Sequence, residues 1–429
     1  MISINKEENK ICFNIYMNRL IQEELLPGYK RTAMAKIKGN RTFYSITFNP
    51  NSLKPNEQVY INIPKLKVNS CLVPGSLNLS FDLKISNAKS HFLNNLSKIL
   101  QHRLQIKVAG ETLYDCSEHN VISVYKDLWL PKSDRQGLIE YGICSENLRK
   151  LISKDDSAAT SGSSEKVSDK LMYDIYDTRQ KINIDNILKD HGLYCPFNMN
   201  NNFQYIITLP PSDQVLIPQS GNSIGDYELE NIQLEYETIE NQEIANEVAN
   251  LYSIGRSLFY EHITLLKKEK WDKSSTLQNI NVNVPRKSMK GIVLLFTENS
   301  VSDSEKFIYP EIDEVKITIE GTPNMIFAQG MGKKLFYEEA RRFFDKNIPI
   351  NSFMTIEKFY KDKFALVIDL RTFQEKNIAG NGKRIVNTQN GILLEIKKRA
   401  YTKDLNCYIY VFSDALVQFV NNDLQSIQY

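Results

Sequence analysis

Across residues 77–85 the chain alternates without a break: Leu77, Leu79, Phe81, Leu83 and Ile85 are apolar, and Asn78, Ser80, Asp82 and Lys84 between them are polar. A two-residue period puts one set of side chains on each face of a pleated strand, so the segment predicts a half-buried β-strand. Val59, Ile61 and Ile63 repeat the pattern around Tyr60 and Asn62, as do Val315, Ile317 and Ile319 around Lys316 and Thr318. Residues 203–209 and 364–370 are β-branched and aromatic runs of strand length. Helical spacing is rarer. Ile244, Val248, Leu251 and Tyr252, behind Glu240 and Glu243, predict a helix over residues 241–258. Shorter helices are predicted over residues 119–130, 182–188 and 332–344. Strands and helices do not alternate regularly, which argues against a doubly wound parallel sheet and for antiparallel sheets crossed by a few helices. Residues 153–170, SKDDSAATSGSSEKVSDK, have Val167 as their only large apolar side chain and predict an exposed loop.

Several segments recur in order. FYSITF from Phe43 matches FYEHITL from Phe259, 216 residues on (259 less 43). VYINIP ending at Pro64 matches INVNVP ending at Pro285, and LQIKVAG ending at Gly110 matches VKITIEG ending at Gly321, 211 residues on (321 less 110). A helical pattern follows each of the last pair, with Tyr125 corresponding to Tyr337. FQYIITLP from Phe203 then matches FALVIDLR from Phe364, and IQLEYE from Ile232 matches LEIKKR from Leu394, 161 and 162 residues on (364 less 203, 394 less 232). The drop in offset predicts roughly 50 extra residues in the first copy, around the polar loop. The expectation is an all-β fold of two tandem jelly-roll β-sandwiches with a few short helices. Its parts are an N-terminal arm (1–40), a first jelly roll (41–239) with an inserted polar loop near 153–170, a connecting helix (240–258) and a second jelly roll (259–429).

Composition narrows the function. Of 429 residues, 53 are Lys or Arg and 51 are Asp or Glu, a formal charge of +2. That balance excludes a surface wrapped throughout by nucleic acid. The six cysteines (12, 71, 116, 144, 195, 407) form no CxxC pair and predict reduced, buried thiols. The start, MISINKEENK, has no apolar signal core, and no apolar run approaches the roughly 20 residues of a bilayer span.

The run RTFYSITFNP, then LVPGSLNLSFDLKISN, then LSKILQHRLQIKVAGETLYD with VYKDLWL after it, and finally YELENIQLEYETI, resembles the double jelly-roll major capsid protein, or hexon, of Polinton/Maverick elements and adintoviruses. The resemblance covers nearly all of the first copy and continues more weakly through the second. It implies a homotrimeric, pseudohexagonal capsomer that tiles an icosahedral shell around double-stranded DNA. Its partners would be neighbouring capsomers and penton or minor capsid proteins, and it would be found in the virion, made in the host cell without a secretory signal. The family supplies no catalytic residues to carry over. Duplication suits such a tile, because three two-lobed chains about a threefold axis present six nearly equivalent lobes.

Candidate chemistry is sparse. The five histidines (91, 102, 119, 191, 262) form no HxH or HxxxH pair, so no metal site is predicted. Cys116 and His119 lie three residues apart beside Asp115 and Glu118, and are read as a polar turn opening a helix rather than a nucleophile and base. GNGKR at Gly380 lacks the spacing of a phosphate-binding loop and reads as a turn. No catalysis and no cofactor are predicted. Lys30, Arg31, Lys36, Lys38 and Arg41 give the arm a local charge of +5, a candidate contact with packaged DNA or an inner membrane surface. Upstream, Met17, Leu20, Ile21 and Leu25 fall on one face of a short predicted helix. The 22 Tyr and 20 Phe are read mainly as packing; a carbohydrate- or ligand-binding two-sandwich protein is the alternative.

Overall fold

The computed structural model describes residues 40–135, 138–159, 164–184, 187–298, 303–324, 330–344, 354–372, 380–386 and 391–429. The short helix expected near Met17 lies outside these residues. Eight principal strands form the first copy: β1 (Asn40–Thr47), β2 (Gln58–Asn62), β3 (Asn78–Ile85), β4 (Arg103–Val108), β5 (Glu111–Cys116), β6 (Arg179–Asn183), β7 (Phe203–Thr208) and β8 (Tyr227–Glu240). Eight more form the second: β9 (Arg256–Trp271), β10 (Leu277–Val282), β11 (Arg286–Thr297), β12 (Ile312–Ile319), β13 (Thr322–Pro323), β14 (Ala365–Asp369), β15 (Ile392–Lys398) and β16 (Leu405–Val420). The sheets run β1-β8-β3-β6 and β2-β7-β4-β5 in the first copy. In the second they run β9-β16-β11-β14 and β10-β15-β12-β13, the same order with eight added to each number. Every pairing among these strands is antiparallel. Each copy is thus a two-sheet jelly roll, as the alternation of single segments predicts.

The turns repeat as well as the strands. Two residues, Ala109 and Gly110, join β4 to β5 with φ of 54° and 84°; Glu320 and Gly321 join β12 to β13 with φ of 50° and 81°. Positive φ at both central residues is the backbone of a type I′ hairpin, whose twist matches that of its strands. Glycine supplies the second position at no steric cost.

The fourth and fifth sequence matches do not survive. FALVIDLR forms β14, the partner of β11, so its counterpart in the first copy is β6, not β7. LEIKKR lies in β15, the counterpart of β7, and β8 corresponds to β16. All five residues of β14 are buried, giving a continuous apolar run that resembles any interior strand. Register gives the true offset: Val108 pairs with Phe203 as Ile319 pairs with Ile392. The two pairs are 211 (319 less 108) and 189 (392 less 203) residues apart, so the first copy carries 22 extra residues (211 less 189), not 50.

Helices depart from expectation at their ends and in one case in kind. Among the described residues the helix expected over 182–188 does not form: Ile182 of β6 pairs with Leu79 of β3, and a short 3-10 turn, Leu188–Asp190, follows. Ile184, Ile187 and Leu188 have the i, i+3, i+4 spacing of a helix, but closing the sheet on β3 takes the start of the segment. The polar 153–170 segment is not one loop. Its second half starts α3 (Ser164–Tyr176), whose Met172 and Tyr173, beyond the polar stretch, pack against the core. Its first half buries Asp155. Helices α1 (His119–Asp127), α2 (Glu146–Ile152), α4 (Gln242–Ile254), α5 (Lys333–Phe344) and α6 (Ile356–Asp362) complete the set used below. In α4 the Asn241 side chain accepts from the Ile244 N–H at 3.0 Å, the N-cap expected of Asn. The helix stops at Gly255, so residues 256–258 open β9 instead of extending it. No helix among the described residues is long and apolar enough to cross a membrane.

Candidate functional site

The buried apolar side chains of both jelly rolls form one continuous core, and aromatic contacts and ion pairs cross the seam between the rolls. Four tyrosines donate hydroxyl hydrogens to main-chain carbonyls of the other roll. Tyr260 reaches Leu113 at 2.6 Å, Tyr410 reaches Glu118 at 2.7 Å, Tyr125 reaches Lys363 at 3.3 Å, and Tyr429 reaches Thr112. Tyrosine suits such a seam because its ring packs as an apolar body while the hydroxyl satisfies a carbonyl that is cut off from water. At one end, Trp129 stacks on Phe344 with centroids 5.8 Å apart, and Tyr125 meets Phe307 edge-on at 5.0 Å. At the other, Tyr194, Tyr252, Phe419 and Phe203 form a ring-to-ring cluster that joins α4 to both rolls.

Ion pairs cross the same seam. Lys268 of β9 bonds Glu118 at 2.6 Å, Lys126 of α1 bonds Glu261 at 2.5 Å, and buried Arg135 pairs with buried Glu305. Glu305 also accepts from the Asn94 amide at 2.9 Å. Burial alone would raise the Glu261 carboxyl, but Lys126 and Lys290 outweigh it and hold the group far below the usual carboxylate range. Tyr114 packs edge-on against both His119 and His262. His119 bridges the Tyr114 hydroxyl (3.1 Å) and the Ser123 hydroxyl (2.9 Å). Burial pushes His119 down to about 3 and His262 down to about 4, so both are neutral at pH 7. Cys116 is buried and its thiol is pushed up to about 12. Cys116 ends β5 and His119 opens α1 three residues later, the turn before a helix that the sequence suggests.

Outside the seam, β1 and β9 lie at corresponding sheet ends, β1 beside β8 and β9 beside β16. Each carries an exposed phenylalanine, Phe43 at 59% and Phe259 at 49%. Ile46 of β1 is also exposed, on the opposite face of the strand from Phe43. Arg41, from the predicted basic contact, opens β1 and bonds Glu237 of β8 through its Nε at 2.7 Å. Lys30, Arg31, Lys36 and Lys38 lie outside the described residues.

Two contacts had no signal in the sequence because their members lie far apart: His91 with Asp155 at 3.0 Å, and His102 with Glu118 at 3.7 Å. His91 lines a cleft of about 420 Å³ with Leu93, Asn94, Glu146, Arg149, Ile217 and Asp303. Among the described residues no Tyr, Trp or Phe lines it to stack on a sugar ring. Among the described residues no group of three His, Cys, Asp or Glu side chains is placed to hold a metal ion. GNGKR forms a turn leading into the short strand Lys383–Ile385, with the Gly380 N–H donating to Asp414 at 2.9 Å.

Two fused eight-stranded sandwiches of matching topology define the double jelly roll. It is the fold of viral major capsid proteins. PBCV-1 VP54, fitted into a cryo-EM reconstruction of the virophage Sputnik, aligns with a TM-score of 0.56 over 92% of this chain and 98% of that chain, at 10% identity. The Faustovirus major capsid protein aligns at 0.54 over 97% and 100%, with 7% identity. The mavirus major capsid protein aligns at 0.51 over 90% and 89%, with 10% identity. At such identities the likeness is one of fold. No protein-family model matches the sequence, nor does any curated protein sequence.

Proposed function

We propose that the chain is a major capsid protein of the Polinton/Maverick and adintovirus type, assembling as a homotrimer that tiles an icosahedral shell around double-stranded DNA. In this reading residues 41–239 and 259–429 are two lobes of one tile, residues 1–40 an arm and residues 240–258 the joint. The observation that carries it is the exposed Phe43 and Phe259 at equivalent places on two copies of one fold that the seam locks together. A threefold axis acting on such a chain closes a ring of six lobes through three contacts between chains and the three seams within them. The role is structural, with penton proteins and neighbouring capsomers as partners.

Light scattering on the purified protein tests it. The expected mass is three times the 49.6 kDa chain, with pseudohexagonal particles by electron microscopy. A protein that stays monomeric across assembly conditions and binds glycans saturably would instead support a ligand-binding two-sandwich protein.

A further inference from the structure

We propose that Cys71 and Cys195 are a disulfide-forming pair that staples the short strand Ser70–Leu72 to the segment leading into β7. Leu72 and Tyr194 form an antiparallel bridge. The Leu72 N–H donates to the Tyr194 carbonyl at 2.7 Å, and the Tyr194 N–H donates to the Leu72 carbonyl at 3.3 Å. In an antiparallel ladder, the residues one step back and one step forward of such a pair face each other without mutual main-chain bonds, with Cα atoms about 4.5 Å apart. Here those residues are Cys71 and Cys195. That spacing lies inside the range of about 4.4–6.8 Å that a disulfide spans. Both thiols are free and buried, and the Cys195 thiol donates to the Ser70 carbonyl at 3.5 Å.

The two sulfurs are not alike. The neighbouring Cys71 thiol pulls the Cys195 thiol below its ordinary value, helped by the Phe197 and Asn198 N–H groups of the turn Pro196–Asn198 that follows it. The neighbouring Cys195 thiol, together with burial, raises Cys71. Cys195 is therefore the attacking thiolate. With oxidised glutathione as the oxidant, the Cys195 sulfur attacks one glutathione sulfur and forms a mixed disulfide. The expelled glutathione thiolate takes up the proton that Cys195 gave up. The Cys71 sulfur then loses its proton, attacks the Cys195 sulfur and expels the second glutathione, which takes up that proton. Two cysteine thiols become one disulfide, and one oxidised glutathione becomes two reduced ones.

The location gives the bond leverage. Cys71 pairs with Ile239 at the end of β8, just before α4 begins, and Tyr194 packs edge-on against Tyr252 of α4 at 5.6 Å. The bridge would close a loop of 124 residues (195 less 71), long enough to restrict the unfolded chain strongly. A reducing cytosol leaves the pair open and an oxidising medium closes it. The inference does not depend on the capsid reading.

The test incubates the full-length protein, purified under reductant, with oxidised glutathione, both in buffer and in urea just below its unfolding transition so that the buried sulfurs are reached. The expected result is an intact mass lower by two hydrogens, a Cys71–Cys195 cross-linked peptide that disappears on reduction, and a melting temperature higher by on the order of 5 °C. Cys116→Ser should keep the cross-link, and Cys71→Ser and Cys195→Ala should each lose it. The proposal is overturned if Cys71 and Cys195 both remain alkylatable after oxidation in both conditions, or if the peptide map joins either one to a different cysteine.

Discussion

Tyr410 of the second jelly roll donates its hydroxyl hydrogen to the carbonyl of Glu118 in the first, 2.7 Å away across 292 residues of sequence. Glu118 stands at φ 49°, immediately before α1, and its carboxylate accepts from Lys268 of the same second roll. One residue at a left-handed corner thus receives two bonds from the neighbouring roll.

Replacing Tyr410 with Phe keeps the ring and removes only the donor. The Glu118 carbonyl would keep the Val121 N–H at 3.2 Å but lose the tyrosine hydroxyl, which costs about 1 kcal/mol. The urea midpoint should fall while the far-ultraviolet circular dichroism stays native. An unchanged midpoint would show that the seam does not draw stability from its tyrosine hydroxyls.

Gly291 tests how tightly the β11-β14 edge is packed. A Cβ placed there would lie 2.6 Å from the Ile368 carbonyl oxygen and 2.7 Å from Cε2 of Phe343. Main chain cannot yield as a flexible side chain can, so Gly291→Ala should cost about 2–3 kcal/mol by overpacking. Gly321→Ala, with open space around it but φ of 81°, should cost less, about 1 kcal/mol of backbone strain. Reversal of that order in denaturant titrations would contradict the packing described here.

Much of the fold was legible because alternation is a local property. Leu79, Phe81 and Leu83 face the core wherever β3 sits in a sheet, and the Gly110 and Gly321 turns announce themselves by residue type. Strand identity was not legible, since which strand lies beside which is decided by contacts far apart in sequence. FALVIDLR therefore looked like β7 when it was the counterpart of β6. The helix from Ser164 was hidden by its polar first turn, and Asp155 read as loop because its partner His91 lies 64 residues away. The seam followed the same rule: Tyr125, Tyr260 and Tyr410 were visible as aromatics, but nothing nearby in sequence marks the carbonyls they reach.

Acid should weaken the protein before its carboxylates titrate. His119 is held at about 3 and His262 at about 4, whereas both titrate near 6.5 when unfolded. Lys98, Lys126 and Lys189 around the first, and Arg286 beside the second, add to the effect of burial. Below pH 6.5 the unfolded chain binds protons that the folded one refuses, so the stability these groups contribute is complete above 6.5 and is lost as the pH falls toward 4 and 3. His91, His102 and His191 are shifted in the same direction by burial. Between pH 7 and pH 5 the two central histidines alone should cost roughly 2 kcal/mol each. Urea midpoints at the two pH values measure it, and equal midpoints would refute it.

Phe43 and Phe259 allow the assembly reading to be separated from folding. Both side chains are exposed in the single chain, so Phe43→Asp and Phe259→Asp should leave its stability within about 0.5 kcal/mol. In the proposed trimer the contacts between copies draw on surface that is exposed in the single chain, and a carboxylate buried there without a partner is strongly unfavourable. Loss of trimer in one single variant would show which phenylalanine lies in such a contact. The double change should leave monomers with a native circular dichroism spectrum. Sedimentation over a concentration series measures the shift. Trimers that persist unchanged in the double variant would place the lobe contacts elsewhere on the molecule, whatever the oligomer's function.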